Sequence, residues 1–305
     1  MKKLSEERLG EILVFGEMTL SALFPIIISY GTRLMPPIFF AGTSTLTAGI
    51  VLFFYLAITK QFNKLRNKKT IIYSLWVTLL IIIIPCILIF IGTSKTSGIN
   101  TSLLLQSEIV FMFIIYSLLK YEVITKRRIF GAIIIILGTA VIVYNGSANI
   151  NLGDILIIAG TLSYPIGNIF ARKALGVTTT PVLLFIRNSI GGLILIAISL
   201  LFETYNQPFF YFITNFYPYI LLSGILVYCI SKVLWYEGLR KLEINKAILI
   251  SLGGYPAASL LFTYVFLHEV PTTYQWVGFF LILGGLFITI TKAKKLLTTT
   301  RTIHD

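Results

Sequence analysis

Residues 71–93 read IIYSLWVTLLIIIIPCILIFIGT, a run without a single charged side chain. A helix needs about 20 mostly apolar residues to cross the hydrocarbon core of a bilayer, so this run is long enough to span it. Nine further stretches have the same character. The sequence therefore predicts an all-α integral membrane protein with ten transmembrane helices, at roughly 10–30, 36–58, 71–93, 98–118, 129–145, 152–171, 181–202, 216–236, 246–267 and 274–291.

The composition agrees with a membrane protein. Of the 305 residues, 56% are hydrophobic and only 12% are charged, whereas a soluble domain carries about 25% charged residues. The formal net charge of +13 raises the question of nucleic-acid binding, but that function needs the bases gathered on one folded face. Here they lie in short runs between apolar stretches, so we expect the lipid bilayer as a partner and no nucleic acid.

The basic residues also predict the orientation, because cytoplasmic loops of membrane proteins are enriched in Lys and Arg. If the N-terminus is cytoplasmic, every cytoplasmic connection is basic, and the outer connections hold only Arg33 and Lys95. Both termini are therefore predicted to be cytoplasmic, in the cytoplasmic membrane. The first apolar run contains Glu17 and lacks a small-residue cleavage site, so we interpret it as a span and not as a signal peptide.

The sequence offers no sign of a cofactor or of catalysis. Cys86 and Cys229 each lie within an apolar run, and the two histidines, His268 and His304, form no cluster with metal-ligand spacing. There is no glycine loop of the kind that holds nucleotide phosphates. The serines have no adjacent base of the sort that nucleophilic catalysis needs. We therefore expect no cofactor, no metal and no enzymatic activity.

Short segments recur in the same order along the chain. LGEIL at 9–13 recurs as LGDIL at 152–156, an offset of 143, and Ile99-Asn100 recurs as Ile244-Asn245. Three more positions recur with an offset of 147, namely Glu122, Gly131 and Gly138 as Glu269, Gly278 and Gly285. Each half then holds five predicted spans, and because five is odd the halves have opposite orientations. The sequence predicts two inverted five-helix repeats, over 1–148 and 149–305, an architecture that recurs in transporters.

The residues that end each repeat resemble the EamA-type transporters of the drug/metabolite transporter superfamily. They are Glu122-Val123-Ile124-Thr125 with Gly131 and Gly138, and Glu269-Val270-Pro271-Thr272 with Gly278 and Gly285. Tyr255-Pro256 lies where the family typically has a proline. At the equivalent place in the first half, Glu108 matches the acid that often precedes this proline, but Ile109 replaces the proline itself. A kink of the fourth span is therefore in doubt. The resemblance covers about 9–290. It implies a cavity formed by the first four spans of each half, with the fifth spans peripheral.

Four ionisable side chains lie inside predicted spans: Glu17, Glu108, Arg187 and Lys232. Placing an Asp, Lys or Arg side chain at the centre of a membrane span costs at least ~2.5–3.5 kcal/mol of insertion free energy. Ionisable groups in spans therefore tend to face a water-filled cavity or a partner side chain. Glu108 is the deepest of the four. We predict that it binds a cationic group or a coupling proton; the alternative is a protonated carboxyl that is hydrogen-bonded to a neighbouring helix.

The other three ionisable groups leave alternatives open. Glu17, with Ser21 one turn on, resembles the first-span glutamate of small multidrug transporters; a pairing with Arg187 is the alternative. Arg187 is expected to bridge to a carboxylate in preference to contacting a ligand. Lys232 is expected to extend its ammonium to the lipid headgroups.

Several uncharged groups complete the candidate site. Tyr164 and Asn168 recur every four residues with Arg172 in the sixth predicted span, a face suited either to a substrate or to interhelical hydrogen bonds. Tyr255 lies in Gly253-Gly254-Tyr255-Pro256, where a helix break is predicted. Trp235 and Tyr236 are interpreted as interfacial anchors, and the aromatic connection at 203–216 is expected on the outer leaflet.

These patterns predict a secondary transporter, in particular an exporter that moves small amino-acid-like or amphipathic solutes by alternating access. The buried acids belong to the first half and the buried bases to the second, a distribution that suits a zwitterion or simple pairing across the halves. A proton-coupled multidrug or cation antiporter and an uptake carrier are alternatives within the same fold. A channel or scramblase is a further alternative, and a homodimer stays open.

Overall fold

The computed structural model describes residues 6–121, 125–144, 146, 150–242 and 244–290, and this part of the chain is helical throughout, without a β-strand. Eight helices are long and apolar enough to cross a membrane, and two shorter apolar helices, Gly253–Leu267 and Thr273–Thr289, occupy the places of the last two predicted spans. The all-α membrane fold is confirmed. The count of ten crossings stays a prediction, and both chain ends and Glu122 of the repeat lie outside the described residues.

The helices of the described chain follow the predicted order, and we number them along the chain. A short 3₁₀ helix, Gln61–Arg66, connects the second to the third. We call the end of the bundle that holds the connections after α1, α3, α7 and α9 the outer end, following the orientation predicted above. The bounds are α1 Glu6–Leu34, α2 Pro37–Ile58, α3 Lys68–Thr93, α4 Gly98–Leu118, α5 Lys126–Tyr144, α6 Leu152–Leu175, α7 Thr180–Phe202, α8 Phe209–Leu239, α9 Ile244–Phe262 with Thr263–Leu267, and α10 Thr273–Ile290.

Three helices, α1, α4 and α6, are interrupted near the middle of the bundle. In α1 and α6 the second piece begins with an aromatic residue and a proline, Phe24-Pro25 and Tyr164-Pro165, the position where a proline costs a helix least. The interruption of α4 at 105–106 forms without a proline. There the Ser107 hydroxyl donates a hydrogen bond to the Leu104 carbonyl at 2.7 Å, so a side chain satisfies a backbone group that the break releases.

The third and eighth helices each contain π-helical turns. These turns cover Thr78–Ile83 in α3 and Leu222–Ser231 in α8, and their last residues are 148 positions apart, close to the repeat offset. The π-helix is rare and appears frequently at functional sites. Lys232 is the first residue after the wide turns of α8.

The predicted helix break at Gly253-Gly254-Tyr255-Pro256 is wrong. Helix α9 continues from Ile244 to Phe262 with Pro256 inside it. A proline removes only one hydrogen bond from the ladder, and space is available beside it, because no atom lies within 4 Å of the position that a Cβ of Gly253 would take. The ladder departs from α geometry only later, in the π-helical turn Thr263–Leu267.

Equivalent helices of the two halves pack against each other in antiparallel pairs. A Cβ on Gly131 of α5 would lie 2.8 Å from the carbonyl oxygen of Gly285 of α10, and a Cβ on Gly138 would lie 2.9 Å from that of Gly278. The order of contacts is reversed along α10, so the two helices run in opposite directions. Glycine permits this close approach of two backbones.

The same arrangement joins α2 to α7. A Cβ on Gly42 would lie 2.8 Å from Ile196, and a Cβ on Gly49 would lie 2.9 Å from the backbone nitrogen of Ser189. The residue order is again reversed between the two helices. Two pairs of sequence-equivalent helices are therefore antiparallel, as the repeat leads one to expect.

The glycine contacts between α5 and α10 give a stability prediction. Gly285→Val is expected to destabilise the protein by about 1–3 kcal/mol, because the new side chain forces the two backbones apart. Its neighbour Gly284 supplies the control, since no atom lies within 4 Å of its Cβ position. Thermal melting of the detergent-solubilised variants measures both. Equal melting temperatures for Gly285→Val and Gly284→Val would contradict the close packing.

The aromatic segment at 203–216 differs from the expected connection on the outer leaflet. Helix α8 already begins at Phe209, and Phe212 is buried against Phe39 of α2. Glu203 accepts hydrogen bonds from the backbone N–H groups of Ile38 and Phe39 at 2.8 and 2.9 Å. The segment therefore anchors the first turn of α2, where a carboxylate satisfies free N–H groups.

Candidate functional site

The interruptions of α4 and α6 meet inside the bundle. The hydroxyls of Ser107 and Thr161 lie 2.8 Å apart, one on each side of the contact. Glu108 lies in the first turn of the second piece of α4, and Tyr164 is the first residue of the second piece of α6. Two new helix N-termini therefore lie in the interior, where the positive ends of their helix dipoles favour negative charge nearby.

Glu108 lies half-buried at this meeting point. The Asn168 side chain interacts with its carboxylate, and the charges of Lys232 and Glu17 are close enough to act on it. This places two predicted site residues, Glu108 and Asn168, next to each other on neighbouring helices. A carboxylate with a single amide neighbour has acceptor capacity left for a cationic ligand, because an ionised carboxylate has about four acceptor sites.

Arg187 lies deeper and has a different environment. Its side chain is buried, with 2% of its surface exposed, and its Nε donates to Asn188 Oδ1 at 3.2 Å. Tyr164, Tyr228 and Tyr236 are close enough to the guanidinium to interact with it electrostatically. The expected bridge to a carboxylate is absent: among the residues that the structure describes, no Asp or Glu forms an ion pair with Arg187. Tyr236, predicted as an interfacial anchor, is buried here instead.

Tyr228 links this arginine to the rest of the interior. Its hydroxyl lies 3.3 Å from the Cys86 thiol, and its backbone carbonyl accepts a hydrogen bond from Asn188 at 3.3 Å. The groups beside Arg187 are hydroxyls and a thiol, which leave a full positive charge uncompensated. A buried arginine in such a setting is suited to a carboxylate or a similar anion, which it can bind through two parallel hydrogen bonds.

Glu17 has a different partner from the one expected. Its Oε1 accepts from Ser21 at 2.6 Å and forms an ion pair with Lys232 at 3.5 Å, and its Oε2 accepts from Ser251 at 2.8 Å. Lys232 therefore turns inward, and the interpretation that its ammonium reaches the headgroups is wrong, as is the pairing of Glu17 with Arg187. The contact joins α1 to α8 and α9, and Ser21 also lies 2.8 Å from Ser231.

The six candidate residues form one connected cluster. Tyr164 interacts electrostatically with Glu108, Arg187 and Tyr255, and Tyr255 in turn with Glu17. Tyr164 thus interacts with both Glu108 and Arg187. Sequence reasoning missed Ser231, Ser251 and Tyr228, because nothing in their local sequence signals a contact that forms only between helices far apart along the chain.

A second polar network closes the outer end of the bundle. Asp154 of α6 is buried and accepts from Thr96 at 2.6 Å and from Asn100 at 3.1 and 3.2 Å. Asn100 in turn accepts from Gln275 of α10 at 2.7 Å. This chain of hydrogen bonds joins α4, α6 and α10 across the two halves.

Glu269 adds to this closure. Its carboxylate accepts from the N–H groups of Gly98 and Ile99 at 3.2 and 3.0 Å and pairs with Arg33 at 3.0 Å. It therefore caps the first turn of α4 and holds the end of α1. A polar cavity of about 380 Å³ lies beside it, lined in part by Asn100, Asn151 and Gln275. The end of the second repeat thus fastens the outer end of the first.

Comparison with known proteins gives a consistent result. The model of the EamA-like transporter family matches residues 8–144 and again 151–291. The chain is 21% identical over 94% of its length to the uncharacterized transporter YetK of Bacillus subtilis (strain 168), of which it covers 84%. It is 24% identical over 83% of its length to an uncharacterized transporter of Methanothermobacter thermautotrophicus, of which it covers 78%.

A solved crystal structure has the same fold. It superimposes with a TM-score of 0.65 at 16% sequence identity and covers 92% of this chain and 95% of the other. The two matches of the family model span nearly all of the sequence, one in each half. The resemblance inferred from the repeat ends is confirmed, and the chain belongs to the EamA-like transporter family.

Proposed function

We propose that this protein is a secondary transporter that exports small zwitterionic, amino-acid-like metabolites through the cytoplasmic membrane by alternating access. It does so with ten transmembrane helices in two inverted halves, 1–148 and 149–305, and with both termini in the cytoplasm. Two halves of opposite orientation can exchange conformations, and this exchange opens a central site to either side in turn.

One observation carries the proposed substrate class. Glu108 is a half-buried acid and Arg187 is a buried base. Among the described residues they form no ion pair with each other, and Tyr164 interacts with both. A ligand with an ammonium and a carboxylate at opposite ends supplies the missing partner of each. A site discriminates strongly against a ligand that lacks one charged group, because the protein group that should bind it is then left unpaired. We therefore expect that both the ammonium and the carboxylate of the ligand are needed for binding.

The contacts of Glu17 weigh against a multidrug antiporter that uses this residue. Both of its carboxylate oxygens are occupied by groups of the protein, Ser21 and Lys232 on one and Ser251 on the other. A cationic drug would have to displace an ammonium that is already in place. A zwitterion that binds at Glu108 and Arg187 would displace no direct ion pair of the described residues at either group.

Counterflow into proteoliposomes tests the proposed function. The panel contains amino acids, the corresponding amines without the carboxylate, the acids without the ammonium, and cationic dyes. Saturable exchange of one or more zwitterions, with little exchange of the single-charge analogues, is the expected result. Exchange of dyes alone would favour the multidrug antiporter, and flux that neither saturates nor counter-exchanges would indicate a channel or scramblase.

The closure at the outer end gives a further prediction, since alternating access requires this end to open. Glu269→Ala is expected to speed outer opening by about 2- to 30-fold, the equivalent of losing a helix cap. The probe is Thr101→Cys, because Thr101 is fully buried beneath the network. Its reaction with a membrane-impermeant maleimide added outside measures opening, with the chain that carries only Cys86 and Cys229 as background.

Arg33→Gln is the matched control for that experiment. It leaves both N–H bonds to Glu269 in place and removes only an ion pair whose arginine is half-exposed. Exposed ion pairs contribute about 0.2–1 kcal/mol, so the labelling rate should change by less than about fivefold. An unchanged rate in Glu269→Ala would show that this carboxylate does not hold the outer end closed.

A further inference from the structure

The ammonium of Lys232 lies inside the bundle and not at the lipid headgroups. The residue follows directly on the π-helical turns Leu222–Ser231. From there its Nζ lies 3.5 Å from Glu17 Oε1 and 3.2 Å from Ser21 Oγ. About a third of the side chain, 32%, remains exposed, so the ammonium is not enclosed on all sides.

The ammonium of Lys232 acts on two carboxylates, those of Glu17 and Glu108, but among the described residues it forms an ion pair with Glu17 only. Lys232 attracts the carboxylates of both Glu17 and Glu108, and the two carboxylates repel each other. Arg187 faces tyrosine hydroxyls and the Cys86 thiol instead. In the cluster as described, two carboxylates therefore have one lysine between them. Without that lysine, two like charges would repel each other in a region of low dielectric.

The chemical group that Lys232 offers is the same as one end of the proposed substrate. Both are primary ammonium groups with three donors. We propose that Lys232 is a tethered cation that neutralises Glu17 and so weakens its repulsion of Glu108 in the empty cavity, which lets the substrate-free carrier pass between its inward and outward openings. This inference rests on the proposed transport function, because only a carrier needs such a return step.

The geometry assigns the two acids different tasks. Glu17 has both oxygens bonded by protein groups and holds the lysine near the interface of α1, α8 and α9. Glu108 is left with Asn168 and accepts the ammonium of the substrate. When substrate binds, Lys232 remains on Glu17 and the positive charge that it shared with Glu108 is supplied by the ligand. When substrate leaves, the lysine still neutralises Glu17 and still attracts Glu108.

The test measures opening of the empty carrier and needs no substrate. Lys232→Ala is combined with Thr101→Cys in proteoliposomes, and the rate of external maleimide labelling is compared with that of Thr101→Cys alone. The rate is expected to fall about tenfold, less than for a fully enclosed ion pair because the lysine is partly exposed. Methylammonium in the buffer should restore most of the rate, whereas tetramethylammonium, which has no donor, should not.

Two further variants separate this role from a structural one. Lys232→Arg keeps the charge and should label at nearly the parent rate, and Lys173→Gln, an exposed lysine at the end of α6, should have no effect. Lys232→Gln replaces Lys232→Ala if the alanine variant fails to fold. An unchanged rate without the ammonium, or a loss that methylammonium does not relieve, would overturn the proposal. Absence of zwitterion counterflow in the parent protein would refute the substrate class and leave this labelling result standing.

Discussion

Arg187→Gln is expected to lower kcat/KM for zwitterion exchange by roughly 30- to 150-fold. A hydrogen bond to a charged group contributes about 2–3 kcal/mol. The buried Arg187 guanidinium has no ion-pair partner among the described residues, so no carboxylate of these residues takes the place of the substrate's. The loss should be specific to substrates with a carboxylate. An amine without that group should be exchanged at the same low rate by the parent and by the variant.

Stability separates a binding role of Arg187 from a structural one. Removing one member of a buried ion pair destabilises a protein strongly, whereas removing a buried charge without a counter-charge does not. The melting temperature of Arg187→Gln should therefore equal or exceed that of the parent. Arg172→Gln, at an exposed position on α6, is the control for both measurements. Unchanged exchange of every zwitterion in Arg187→Gln would refute the assignment.

Glu108→Gln is expected to reduce zwitterion exchange by a similar factor, roughly 30- to 150-fold, because glutamine keeps the shape of the side chain but removes its charge. Here the sensitive ligand group is the ammonium. A carboxylic acid without an ammonium should be exchanged no worse by the variant than by the parent. Counterflow with radiolabelled substrates measures each case.

The same variant distinguishes ligand binding from proton coupling. A residue that only carries the coupling proton can be replaced without loss of counterflow, since exchange on both sides needs no net proton movement, while transport driven by a pH gradient disappears. Retained counterflow with lost proton drive would therefore assign Glu108 to coupling and contradict the ammonium site. Glu237→Gln, which removes a carboxylate that pairs with Arg240 near the end of α8, controls for the general effect of losing an acid.

The membrane fold could be predicted, and the candidate site residues could be selected, because the cost of placing a side chain in the membrane can be judged one residue at a time. An ionisable residue in an apolar stretch must face a cavity or a partner, so Glu17, Glu108 and Arg187 are visible from the sequence. Periodicity along α6 likewise indicated Tyr164 and Asn168. These residues lie in one cluster.

The partners could not be predicted, because they depend on distances between helices. Lys232 and Glu17 are 215 positions apart, and nothing near either residue signals the other. The position of Lys232 near the end of its predicted span suggested the headgroups, but its ammonium contacts Glu17 and Ser21 inside the bundle. Tyr236 was misassigned for the same reason, since an aromatic residue near the end of a span looks alike whether it faces lipid or a buried arginine.

Helix breaks were also difficult to predict from residue type alone. Gly253-Gly254-Tyr255-Pro256 contains every signal for a break and remains helical, whereas α4 is interrupted without a proline. A break in a membrane requires that the released backbone groups find other partners. Ser107 supplies one in α4 by bonding the Leu104 carbonyl. Composition does not reveal a local hydrogen bond of this kind.

The glycine contacts between α5 and α10 have a consequence for how such a chain can arise. Gly131 meets Gly285 and Gly138 meets Gly278, but by the repeat Gly131 corresponds to Gly278 and Gly138 to Gly285. The same two positions therefore supply both sides of the contact, as in an isologous dimer interface, where residue i meets j and j meets i. A half-length chain of five helices would already carry a surface that packs against a second copy inserted in the opposite orientation. Gene duplication and fusion would therefore need no newly evolved interface between the halves.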